Sequence, residues 1–171
     1  MSSFLEGELL SLEAIDPADL GYYKWFNNQE VCAGNSHCVY PMTYYDVQEY
    51  IKGIDQTTLL LAIITRYSKE HIGNISLQDI NLINRSADMA LIIGYKVAWG
   101  KGYGTEACKL IIDHGFNALN LHRITCGTFS TNVEMMRLAE KLGFVQEGVR
   151  KQAAWKNGEW VDVVEYGLLN I

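Results

Sequence analysis

The chain has 171 residues, a formal net charge of −6, 49% hydrophobic and 20% charged residues, which suits one domain over residues 1–171 with a continuous core. No Lys/Arg cluster is visible, so a nucleic-acid binder, which draws most of its affinity from phosphate neutralisation, is excluded. The longest apolar run, Leu59 to Ile64, is about a third of the ~20 residues a membrane helix needs.

The opening Met1-Ser2-Ser3-Phe4-Leu5-Glu6 lacks the basic start and apolar stretch of a signal peptide. Cys32, Cys38, Cys108 and Cys126 show no CxxC spacing, and no second ligand pair follows Cys32, His37 and Cys38. Free thiols, no metal, no membrane and a cytoplasmic setting are expected.

Residues 7–14 read as a strand. Asp16-Pro17-Ala18-Asp19 then predicts a helix start, with an N-cap carboxylate and Pro at the first helical position. That helix ends near Asn27-Asn28. A second opens at Thr43, with Asp46 three residues on, and carries Val47, Tyr50, Ile51 and Ile54 on one stripe. Thr58 to Arg66 is apolar on both faces, as a central strand would be. Tyr67 to Glu70 reads as a turn, Ile72 to Ile80 as a returning strand, and Ala87 to Val97 as the next.

Thr105 to Asn117 has helical spacing, His122 to Ser130 reads as a strand, and Thr131 with Glu134 forms a capping box for a helix stopping at Gly143. Asn157-Gly158 marks a closing hairpin, in a register that sets Trp155 opposite Trp160. The order β-α-α-β-β-β-α-β-α-β-β predicts an α/β domain, a mixed sheet covered by helices.

The chemistry begins at Trp99-Gly100-Lys101-Gly102-Tyr103-Gly104-Thr105. Three alternating glycines stand between an apolar strand and an amphipathic helix. They let successive N–H groups turn to one point, and the helix N-terminus adds partial positive charge, which makes an anion cradle suited to a pyrophosphate. The same pattern also serves as a plain tight turn. It is neither a dinucleotide fingerprint nor a P-loop, because GxGxxG and GK[ST] are absent.

This loop resembles the acetyl-CoA pyrophosphate loop of the GNAT superfamily. Ala87 to Gly94, Asn120 to Ile124, and Asn132 through Glu140-Lys141-Leu142-Gly143-Phe144 are similar to the elements around it in the RimJ/RimL-type, ribosomal-protein-alanine branch. The resemblance implies a mixed, mostly antiparallel sheet with splayed central strands, flanked by helices, and acetyl-CoA as acetyl donor.

Leu91, Ile92 and Ile93 would meet the pantetheine arm. Trp99, Gly100, Lys101, Gly102, Tyr103, Gly104 and Thr105 would hold the pyrophosphate, and Asn132 would lie near the thioester. Trp99 stands where the wider superfamily has Gln or Arg. Trp25, Asn28 and His37 fall in the region that implies acceptor contacts, although core and interface packing is the favoured use of Trp25 and Phe26.

Asp88 is the candidate base, because apolar neighbours would desolvate it and raise its pKa. The other readings place it at a solvated strand start or paired with Arg85. A base matters most for a lysine-like amine of pKa about 10.4, whose deprotonation at pH 7 costs roughly 5 kcal/mol. The hydroxyl acids that the resemblance implies are missing: Ala139 and Met135 occupy those positions, so either the thiolate leaves with solvent help, or Tyr103, Ser130 or Thr131 substitutes, or turnover is slow. Cys126 in a core strand reads as a buried thiol, not a nucleophile. His71 reads as exposed.

The acceptor is then a protein α-amine or small-molecule amine. A nucleotide-linked amino sugar and a polyamine are alternatives. A non-catalytic acyl-CoA-binding regulatory domain is the reading from another class. A homodimer is compatible with all of them.

Overall fold

The computed structural model describes residues 3–16, 18, 23–34 and 38–171. Leu59–Thr65 (β3) is apolar on both faces because both are covered, and it sits inside a sheet whose strands run outward on either side. On one side lie β2 (Leu10–Ala14) and the short β1 (Leu5–Glu6). On the other come β4 (His71–Asn81), β5 (Ser86–Ile93), β6 (Arg123–Phe129), β8 (Glu159–Leu169) and β7 (Val145–Lys156). Every neighbouring pair is antiparallel except β5 and β6, which run parallel.

Helices cover both faces. On one, α3 (Tyr103–Asn117) and α4 (Val133–Lys141) bury Ala107, Cys108, Ile111 and Ala139 against Leu10, Ile63, Ile75, Leu77, Ile124 and Tyr166. On the other, Tyr23–Phe26 (α1) and Tyr44–Lys52 (α2) build a smaller cluster around Trp25 and Val47. The α2 start is the expected capping box, with Thr43 Oγ1 accepting from Asp46 N–H and Asp46 Oδ2 accepting from Thr43 N–H. The helix predicted from Asp16 is described only from Tyr23 onward, so its Pro17 and Asp19 signals lie outside the described residues.

Four expectations are corrected. The strand from Ala87 ends at Ile93, and Lys96–Ala98 form a 3₁₀ turn instead of continuing to Val97. α3 begins two residues before Thr105, since Gly102 adopts φ +89° and starts the helix itself. The cap of α4 is Asn132, not Thr131: its side chain accepts from Met135 N–H, and the helix opens one residue later than the Thr131–Glu134 pattern implied. Cys32 and Cys38 form a disulfide with Cα atoms 5.6 Å apart, while Cys108 and Cys126 are buried free thiols. The fold brings the first pair into bonding range, and spacing in the chain carries no such information.

The closing hairpin has the expected register, with Trp155 opposite Trp160 and ring centroids 5.1 Å apart at 70°. Among the described residues no helix is long and apolar enough to cross a membrane.

Candidate active site

β5 and β6 share just three rungs, Ser86–Arg123, Ala87–Ile124 and Asp88–Thr125. Beyond Asp88 they part, while β5 stays paired with β4 as far as Ile93 and β6 stays paired with β8 as far as Phe129. The backbone groups of β5 that face away from β4 are thus left without a strand partner, which is the arrangement an extended ligand arm can use.

Over this gap lies a cleft of about 780 Å³. Leu91, Ile92 and Ile93 line its β5 side, and Trp99, Gly100, Gly102, Tyr103, Gly104 and Thr105 line its upper end. Thr131, Asn132 and Met135 from the α4 start close it on the other side, with Lys156, Asn157 and Glu159 from the hairpin. The 3₁₀ turn Val31–Gly34 forms the mouth.

The upper end fits an anion. Gly100 and Gly102 have φ of +72° and +89°, a region that L side chains rarely enter. No protein atom lies within 4 Å of where a Gly100 Cβ would be. The α3 N-cap makes no side-chain bond to the first turn, so the leading N–H groups and the helix dipole are offered to the cleft. Lys101 is exposed and does not line the cleft. Glu106, in the first turn of α3, accepts from Glu8 and Leu9 N–H and ties α3 to the β1–β2 turn.

Asp88 is half-buried at the fork. Side chains alternate along β5, so Ala87 and Met89 enter the α3 core while Asp88 shares a face with Ile92, which packs toward Trp25. Thr125 Oγ1 donates to Asp88 Oδ1 at 2.9 Å. Burial pushes the Asp88 carboxyl above its ordinary value, the Thr125 bond opposes this, and the charges of Glu165 and Asp79 add to the rise. The suggested partner Arg85 instead donates to Asn120 O and Oδ1.

The acceptor-side residues have divided uses. Trp25 is 6% exposed and does not line the cleft: its ring lies directly over Gly94, where a Cβ would overlap it. His71 is corrected from exposed to half-buried, sharing a bond of 2.7 Å with Asn74 Oδ1 and packing edge-on against Trp25. Asn28 Oδ1 accepts from Glu30 and Val31 N–H and so shapes the 3₁₀ turn. His37 lies outside the described residues. Lys156 Nζ donates to Cys32 O at 2.8 Å, which ties the hairpin to the mouth. Asn132 both caps α4 and lies so close to Gly34 that no Cβ fits between them.

Cys126 is buried, and burial drives its pKa up to about 12, so it remains a neutral thiol. Among the described residues no cluster of His, Cys, Asp or Glu is suited to a metal. The Thr125–Asp88 bond was not foreseen, because it joins positions whose proximity depends on how the strands fork.

A family model described as Acetyltransferase (GNAT) domain matches residues 10–145, which contain the fork, the glycine loop and all of α4. The chain belongs to the acetyltransferase (GNAT) domain family.

"Probable N-acetyltransferase YjcK" of Bacillus subtilis is 39% identical over 111 residues, 63% of this chain and 60% of that protein. The chain thus spans about 60% of the length of that relative. A spermidine N(1)-acetyltransferase of Vibrio cholerae is 29% identical over 155 residues, 90% of this chain and 89% of that one. The solved structure of a Vibrio cholerae spermidine N-acetyltransferase in complex with CoA and spermine superposes with a TM-score of 0.88 at 27% identity, covering 95% and 96% of the two chains.

Proposed function

We propose that this GNAT domain moves the acetyl group of acetyl-CoA onto a primary amine, and that the amine belongs to a polyamine of the spermidine class. The observation that carries the reaction is the parting of β5 and β6 immediately beyond Asp88 and Thr125, with the open first turn of α3 at the upper end of the gap. The near full-length likeness to a spermidine enzyme supports the acceptor.

Acetyl-CoA supplies the activated thioester. The glycine loop and the α3 N-terminus bind its anionic linkage, and the free edge of Leu91 to Ile93 aligns its arm. Asp88 takes the proton that the attacking amine must lose, which its burial favours. A polyamine amine resembles lysine, whose deprotonation at neutral pH costs roughly 5 kcal/mol, so a base matters more for this acceptor than for an α-amine. As the N–C bond forms, the C–S bond breaks, and a hydroxyl that lines the cleft, Tyr103 or Thr131, protonates the departing sulfur. The narrower ribosomal-protein, RimJ/RimL-type acceptor has the likeness of the motifs behind it.

A thiol-release assay over spermidine, spermine, a peptide with a free α-amine and a nucleotide-linked amino sugar tests this. CoA release with the two polyamines is expected. Release with the peptide alone would transfer the reading to the ribosomal-protein branch, and CoA binding with no release anywhere would leave a non-catalytic domain.

A further inference from the structure

The residue between the end of β5 and the glycine loop has a bond that none of the roles above uses. Trp99 Nε1 donates to Ile93 O at 2.8 Å, six residues back. Gly94 N–H donates to Ile72 O on β4, and backbone direction alternates along a strand, so the Ile93 groups point away from β4 into the fork. The indole therefore occupies one of the carbonyls exposed where the strands part.

Between the two residues the chain makes one 3₁₀ turn, held by Ala98 N–H to Tyr95 O and Trp99 N–H to Lys96 O. The turn alone leaves the glycine loop hinged on β5. The indole bond spans the turn and closes that hinge. Trp99 as a whole is 41% exposed and lines the cleft.

We infer that Trp99 is a positioning residue: acting through the Ile93 carbonyl, it fixes the spacing between the strand edge that meets the ligand arm and the cradle that meets the phosphates. A ligand spanning both subsites gains from that fixed spacing, because its second contact becomes intramolecular at a set distance. A ligand that fills the cradle alone gains nothing from it. The inference rests on acetyl-CoA as the bound donor.

Calorimetric titration of CoA and of adenosine 3′,5′-bisphosphate, which carries the nucleotide end but no pantetheine arm, into wild type, Trp99→Phe and Trp99→Gln tests it. Trp99→Phe keeps an aromatic body and removes the donor, so CoA should bind about fivefold more weakly, as loss of one hydrogen bond implies. The bisphosphate should change by less than about twofold. Trp99→Gln, whose amide N–H has similar reach, should recover most of the CoA affinity. Equal losses for both ligands in Trp99→Phe, or none for CoA, would overturn the inference while leaving the acetyl-CoA reading intact. If Trp99→Phe fails to fold, a CoA-selective loss in Trp99→Gln would overturn it equally. A wild-type protein that binds no CoA removes both.

Discussion

Asp88 and Thr125 form the last rung that β5 and β6 share, and the Thr125 hydroxyl donates to the Asp88 carboxylate across it at 2.9 Å. The two strands diverge from that point, so Asp88, the base we propose, sits at the apex of the fork although it does not line the cleft. It is held by a bond that favours its charged form against the burial that disfavours it.

Asp88→Asn should separate stability from activity. A carboxyl whose folded pKa is raised carries no penalty below its ordinary value of 3.8, and the penalty grows as pH climbs toward the folded pKa. At neutral pH the Asn variant, which retains an acceptor for Thr125, should unfold at the same temperature as wild type or higher. Its acetyl-transfer rate with a lysine-like amine should fall by about 10²-fold or more. Thermal unfolding and rate measurements from pH 5 to 9 check both halves; a large loss of stability with unchanged rate would assign Asp88 a structural role.

Gly100→Ala probes the cradle. Its φ of +72° makes any side chain costly by about 1 kcal/mol, yet no protein atom lies within 4 Å of the new Cβ. A fall in CoA affinity of about tenfold or more would thus report on what the ligand occupies, since the protein itself has room. Calorimetry of a variant shown to be folded decides it, and unchanged affinity would move the phosphates elsewhere.

Gly94→Ala should be harsher on stability. Its Cβ would enter the Trp25 ring, and overpacking of this kind costs about 1–3 kcal/mol. A lowered midpoint in urea with an unchanged slope is the expected result. Near-wild-type stability would mean that Trp25 moves freely off the end of β5.

The Cys32–Cys38 bond predicts two titratable thiols in the denatured, unreduced protein and four after reduction. Closing so short a loop is worth about 2 kcal/mol in the chain-entropy account, so a Cys32→Ser, Cys38→Ser double variant should unfold earlier. Four thiols before reduction would show the pair open.

Much of this protein was readable from local pattern. The capping box of α2, the Asn157-Gly158 hairpin with Trp155 against Trp160, and the glycine loop ahead of α3 all depend on neighbours within a few residues. The resemblance to GNAT enzymes added the mixed sheet with its parted central strands, and the family match bears out that membership. Boundaries were less legible: Thr131 looks like a cap, and Asn132 is the one whose side chain reaches the helix.

Long-range pairing decided the rest. Nothing in the order of residues says that Thr125 meets Asp88, or that Trp25 lies over Gly94 rather than open to a ligand. Residue type and spacing determined which groups the chain can offer and which elements carry them. Where two strands stop pairing, and hence which groups meet, was settled only when the whole sheet closed around its buried clusters, because that balance sums contacts from segments far apart in the chain.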